Sequence, residues 1–234
     1  IARAGEPNLE PRLSHDVWTP VTTFSSDADA GADWTAQSVG DRLRLQHGDD
    51  TIGEVAWQMT GGHNAENAAA AIIAAAETGV SPEAALNASG RFGGVKRRLE
   101  LRGRFGGVEL YDDFAHHPTA IVRTLSGIRA RQPRGRILVA LEPRSNTMRM
   151  GVHRDALGPA LADADQAWVL RPTRLDWDLD AALSGTGARV CDEVGAIVDQ
   201  IAAEARPGDV VVVMSNGGFD GIHDRLSQSL SGPG

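Results

Sequence analysis

From residue 118 to residue 230 the sequence alternates short apolar runs with helix-like stretches, and this alternation constrains the fold more than any other feature. The runs at 136–141, 166–170 and 209–214 are nearly continuous in apolar residues. A strand of that kind is covered on both faces, as in a parallel sheet. Between the first of them and Pro118, Ile121, Leu125 and Ile128 fall on one helical face. Further helices are expected over 155–162, 193–205 and 221–230. Strand–helix alternation of this type predicts an α/β fold, a Rossmann-like three-layer domain over 107–234. Residues 1–106 read as part of a separate domain.

That first part opens, over residues 1–20, as loop with one short helical turn. Trp18 and Trp34 are expected as core or edge packing. Arg42-Leu43-Arg44-Leu45-Gln46 alternates with period two, and a turn at 47–50 leads to a second strand over 51–59. A helix from Gly61 to about Thr78 is alanine-rich and nearly apolar all round, so it is expected to be buried, with Gly79 as its stop. Asn64 suits the N-cap of that helix. His63, Asn64 and Asn67 also crowd three polar side chains into its first turn, where an asparagine amide could both donate to and accept from a ligand. Ser81 followed by Pro82 starts a second helix. Residues 99–111 read as a hairpin turning through 103–107.

The polar stretch Tyr111-Asp112-Asp113-Phe114-Ala115-His116-His117-Pro118 lies where an apolar strand over 107–111 gives way to a helix beginning at Pro118 or Thr119. Strand ends in open α/β sheets are where ligands bind. Asp113 as a helix cap and the histidines as surface loop is one reading; two consecutive imidazoles exceed what a loop needs. Two other strand-end loops, 142–148 and 215–219, contain ordinary turn formers, but Glu142 and Arg144 go beyond turn chemistry. Lys96-Arg97-Arg98 is either a solvated face or an anion contact. Gly217-Gly218-x-x-Gly221 lacks the spacing of a dinucleotide fingerprint, which argues against a dehydrogenase.

A formal charge of −8 argues against a nucleic-acid partner. Cys191 is the single cysteine, so no intrachain disulfide can form, a small core residue is expected there, and a reducing cytoplasm fits. No segment approaches the roughly 20 apolar residues that span a bilayer. The chain begins at Ile1 rather than Met and reads as part of something longer.

Four motifs, in order, resemble those of the Mur ligases, the ATP-dependent amide ligases of peptidoglycan metabolism. They are Gly62-His63-Asn64-Ala65-Glu66-Asn67, the 111–118 stretch, Glu142-Pro143-Arg144-Ser145-Asn146-Thr147-Met148 and Met214-Ser215-Asn216-Gly217-Gly218-Phe219. The resemblance implies ATP and Mg²⁺, with His63, Asn64 and Asn67 on the adenine side and Arg98 facing the phosphates. It gives Asp113 the ribose or the ordering of the junction, and His116 and His117 contacts to nucleotide or reactants. Arg144, Ser145, Asn146, Ser215 and Asn216 become candidates for the amine-bearing substrate. The branch of the family most similar in these loops joins the tripeptide L-alanyl-γ-D-glutamyl-meso-diaminopimelate to UDP-N-acetylmuramate through an acyl phosphate; a sibling branch adds L-alanine. No Gly-x-x-Gly-Lys-Thr/Ser phosphate loop occurs in the sequence. The family carries that loop and its magnesium ligands further upstream, so no metal ligand is assigned here. The expectation is a C-terminal fragment: residues 1–106 from the central ATP-binding domain and 107–234 as the amine-substrate domain. A short, non-catalytic binding protein of the same fold is the competing reading.

Overall fold

The computed structural model describes residues 1–13, 15, 17–59 and 61–232. They form two compact units, divided between Gly94 and Val95. The boundary expected at 106/107 is therefore corrected to an earlier position. The hairpin before residue 113 pairs within the second unit's sheet, and backbone pairing overrides any compositional cue.

The first unit carries a five-stranded sheet of β1 (Ala2–Arg3), β2 (Thr23–Ser25), β3 (Trp34–Val39), β4 (Arg42–His47) and β5 (Asp50–Ala56), in that order. β1, β2 and β3 run parallel; β3, β4 and β5 are antiparallel. The period-two pattern is realised in β4: Leu43 and Leu45 are fully buried while Arg42 and Arg44 face out. The sheet is accompanied by α1 (Glu10–Leu13), α2 (Gly62–Glu77) and α3 (Pro82–Ser89). Ala65, Ala69, Ile72 and Ile73 of α2 pack with Trp34, Leu43, Leu45, Trp57 and Leu86.

Three expectations for this unit need correction. Trp18 is 98 % exposed rather than packed, whereas Trp34 is in the core as expected. α2 is not buried all round, because Asn67, Ala71 and Ala74 lie on an exposed face. Nor does Asn64 cap it. Gly61 (φ 88°) holds the cap position without a side-chain bond, and Asn64 sits inside the first turn. Ser81 does cap α3, accepting from the Ala84 amide at 3.2 Å.

The second unit is a six-stranded sheet of β6 (Glu100–Phe105), β7 (Val108–Asp113), β8 (Ile137–Glu142), β9 (Gln166–Leu170), β10 (Arg189–Cys191) and β11 (Val210–Ser215). Its spatial order is β10-β9-β8-β11-β7-β6, parallel except for the β6–β7 hairpin. Helices α4 (Pro118–Arg131), α5 (Asn146–Arg149), α6 (Arg154–Ala160), α7 (Leu179–Leu183) and α8 (Val194–Glu204) lie between the strands in sequence, and α9 (Ile222–Leu230) follows β11. α5 and α7 are too short for the periodicity argument and were not expected.

The apolar runs end up where a doubly covered strand must. Val210 to Met214 are all fully buried at the centre of the sheet. Each such side chain stabilises the fold by about 1.5–3 kcal/mol relative to exposure. One face packs Val210 and Val212 against Ile121, Leu125 and Ile128 of α4; the other packs Val211 and Val213 against Ile197 of α8 and Ile222 of α9. Cys191 is buried, as expected, and burial raises its thiol pKa. Among the described residues, no helix is long and apolar enough to cross a membrane.

Candidate functional site at the carboxyl ends of the sheet

Neighbouring strands β7 and β11 end side by side, yet the chain leaves them towards opposite faces. After β7 it enters α4 on one face; after β11 it reaches α9 on the other. Diverging loops at such a reversal leave a crevice at the carboxyl ends of the strands. At the amino ends, by contrast, charge is closed off: Arg136 pairs with buried Asp209 at 2.5 Å, and the Arg206 amide caps the same carboxylate.

β7 extends through Asp113, so the two carboxylates belong to the strand and not to a loop. Strand alternation sends them to opposite faces. Asp113 accepts from the Leu99 amide (2.7 Å), the Ala115 amide (2.7 Å) and the Thr124 hydroxyl (3.2 Å). Burial nevertheless raises its pKa, against those hydrogen bonds and the nearby Arg98 charge. The reading of Asp113 as the cap of the next helix is corrected: His117 is that cap, its Nδ1 accepting from the Thr119 amide at 3.3 Å. Asp112 meets His223 of α9, Oδ1 to Nε2 3.2 Å, in an alignment short of a proper hydrogen bond. Burial opposes its charge, but His223 and Arg97 outweigh that and hold its pKa below the usual value.

The two histidines of the junction differ. Nδ1 of His116 lies 2.9 Å from the Phe114 carbonyl, which can only accept, so His116 carries its proton on Nδ1. His117 stands ring to ring with His153 at 4.1 Å. Burial, then the His153 and His116 charges, lower its pKa, which keeps it neutral near pH 7.

The basic triplet divides by residue. Arg97 donates from Nη2 to the carbonyls of Ser215 and Gly217, both at 2.7 Å, with Nε 3.5 Å from Asp112. Arg98 is exposed and, among the described residues, has no ion pair; its guanidinium rests 5.3 Å from the Phe114 ring centroid. Arg97 (φ 58°) and Leu99 (φ 51°) flank it in the left-handed region. Such residues cost on the order of 1 kcal/mol each and persist only where neighbours over-determine them. Here Glu100 accepts from the Arg97 amide, the Phe114 amide donates to the Arg97 carbonyl, and Asp113 accepts from Leu99.

The loops after β8 and β11 meet. The Ser215 hydroxyl donates to Glu142 at 2.5 Å and accepts from the Gly217 amide at 2.8 Å. Arg144 lies against Gly217, so closely that a Cβ there would stand 2.3 Å from its Nη1. Among the described residues the Arg144 guanidinium has no carboxylate partner. The Asn216 side-chain oxygen is buried and, among the described residues, has no hydrogen-bond partner. Ser145 and Asn146 serve α5 locally: Ser145 accepts from the Met148 amide at 3.3 Å, and Asn146 accepts from Arg149.

The structure therefore brings Arg98, Asp113, His116, His117, Arg144, Ser215 and Asn216 to strand ends of the second unit. His63 and Asn64 are in the first turn of α2 and Asn67 is in its second, all in the first unit. Arg97, Phe114, Asp112 and His223 belong to the site and were missed. Extending β7 by two residues would have separated Asp112 from Asp113; nothing in the sequence marks His223.

Residues 97–217 match the family described as "Mur ligase, glutamate ligase domain", and the chain belongs to that family. Its relatives include the UDP-N-acetylmuramate–L-alanyl-γ-D-glutamyl-meso-2,6-diaminoheptandioate ligases of Escherichia coli (strain K12) and Haemophilus influenzae. The first is 45 % identical over 78 % of this chain and 40 % of its own length; the second is 40 % identical over 98 % and 51 %. A crystal structure of a murein peptide ligase from Psychrobacter arcticus 273-4 superposes with a TM-score of 0.71 at 38 % identity, covering all of this chain and 52 % of that one. The chain thus spans about half the length of the relatives it matches.

Proposed function

We propose that this chain is the carboxyl-terminal part of an ATP-dependent ligase joining L-alanyl-γ-D-glutamyl-meso-diaminopimelate to UDP-N-acetylmuramate, in the cytoplasm. The observation that carries the reading is Arg144: an uncommitted cation held against Gly217, beside the Ser215–Glu142 bond and the unpartnered oxygen of Asn216. A diaminopimelate-bearing peptide brings several carboxylates and an ammonium to such a surface. The names of the relatives above agree with it.

In this reading the second unit receives the amine substrate and the first contributes to nucleotide binding through His63, Asn64 and Asn67. The exposed, unpaired guanidinium of Arg98 fits a phosphate, because its planar fork matches two oxygens at once. Bound ATP with Mg²⁺ would supply activation of the muramyl carboxylate as an acyl phosphate, leaving ADP, and attack by the peptide amine would expel phosphate as the amide bond forms. Asp113 acts by fixing the turn that carries Arg98. His116, its Nδ1 proton committed, leaves Nε2 as an acceptor for a reactant proton, and His117 offers its Nε2 proton as a donor. Arg144, Asn216 and the Ser145-Asn146 turn orient the peptide. Charge stabilisation and positioning are the main tasks of a protein in such a reaction.

The test is steady-state ligation by the full-length protein, with the tripeptide and free L-alanine offered as competing amines. Preference for the tripeptide is expected. Preference for L-alanine would assign it instead to the sibling activity named for relatives at 33 % identity.

A further inference from the structure

We infer that Arg97 is a positioning residue that ties the amine-site loop to the turn carrying Arg98, so that peptide binding and nucleotide binding are coupled through it. The inference rests on the ligase reading above and assigns a role to a residue outside the expected contacts. One Arg97 nitrogen donates to two carbonyls, those of Ser215 and Gly217, at 2.7 Å each. They bracket Asn216, whose buried side-chain oxygen has no partner. A ligand group that engages Asn216 therefore pulls on the segment that Arg97 grips.

The other end of the connection is equally short. Arg97 and Arg98 are adjacent, and both guanidinium carbons lie 5.3 Å from the Phe114 ring centroid. The Phe114 amide donates to the Arg97 carbonyl at 2.7 Å. The left-handed φ values at Arg97 and Leu99 fix the direction in which Arg98 leaves the turn. Asp112, 3.5 Å from Arg97 Nε and 3.2 Å from His223 Nε2, supplies the buried counter-charge from the strand beneath. A shift of the Ser215–Gly217 loop is thus delivered to Arg98 through one side chain and one peptide unit. Lysine cannot replace Arg97, because its single ammonium cannot hold the two carbonyls where Nη2 sits and also face Asp112 where Nε sits.

Coupling between two sites is reciprocal and reads out as a ratio of affinities. The experiment titrates the full-length enzyme, with UDP-N-acetylmuramate present, with a non-hydrolysable ATP analogue and Mg²⁺, with and without saturating tripeptide. The unmutated enzyme is expected to bind the analogue at least about five-fold more tightly with peptide, the lower end of ordinary coupling. Arg97→Lys is expected to bring that ratio close to one. Asp112→Asn, which keeps the guanidinium but removes its counter-charge, is expected to fall between. An unchanged ratio in Arg97→Lys overturns the inference, as does a ratio of one in the unmutated enzyme. Should the unmutated enzyme bind no tripeptide, the ligase reading itself fails. If Arg97→Lys does not fold, Asp112→Asn decides: a ratio equal to that of the unmutated enzyme overturns the coupling.

Discussion

The Ser215 hydroxyl donates to the Glu142 carboxylate at 2.5 Å, bonding the carboxyl ends of β11 and β8 to one another. Because Ser215 is 1 % exposed and also accepts from Gly217, Ser215→Ala strands two groups at once. A loss of about 1–3 kcal/mol in the chemical denaturation of the second unit is expected. Glu142→Gln, which can still accept, should cost less. Equal midpoints for Ser215→Ala and the unmutated chain would mean that the bond contributes nothing.

Arg144→Ala in the full-length enzyme is expected to lower kcat/KM for the tripeptide by about ten-fold to a hundred-fold, the worth of a charge-assisted contact. ATP binding should change little. Gly217→Ala is expected to act in the same direction without touching Arg144, because its methyl would displace the guanidinium from 2.3 Å. Parallel effects from the two variants would support this placement, and an active Gly217→Ala would remove it.

Adjacent aspartates should titrate apart. Carbon-detected NMR of the carboxyl groups is expected to show Asp112 below and Asp113 above the reference value of 3.8. The signs for stability are opposite. Asp113 contributes stability that is present below 3.8 and is lost as pH rises through its raised value; Asp112 contributes stability above 3.8 that is lost as pH falls through its lowered one. Removing the imidazole with His223→Leu should raise the Asp112 midpoint and leave Asp113 in place.

Gly106, between β6 and β7, has φ 56°, and a Cβ there would lie 2.5 Å from the Leu230 carbonyl oxygen. Gly208 has φ 94° with open space around it. Both alanine variants incur the left-handed cost of about 1–2 kcal/mol. Only Gly106→Ala should cost clearly more, since the obstacle is backbone. Similar denaturation midpoints for the two would show that the α9 end gives way freely.

How much of this was legible in the sequence depended on what kind of force fixes each part. β8, β9, β11, α4 and α8 follow from hydrophobic burial, and their apolar runs placed them within a residue or two. Trp18 was misplaced because exposure of one large side chain depends on neighbours that the local pattern does not contain. Of the candidate site, Arg144 was legible as polarity in excess of turn chemistry at a strand end, whereas Ser215 and Asn216 were legible only through the resemblance to the Mur ligases. Arg97 was not: its role comes from two carbonyls more than a hundred positions away, and main-chain acceptors carry no residue code. Asp112 was hidden by ending β7 too early, which left both carboxylates in one loop instead of on opposite faces.

The two outer strands of the second sheet have a consequence for association. β10 is three residues long, and β6 presents the exposed Arg102 and Arg104 near an irregularity in its pairing between Leu101 and Gly103. Short, charged or kinked margins are poor templates for adding another strand. Strand addition at either margin is therefore disfavoured, and any self-recognition by this unit would have to use helix or loop surfaces, with side chains rather than backbone setting its specificity.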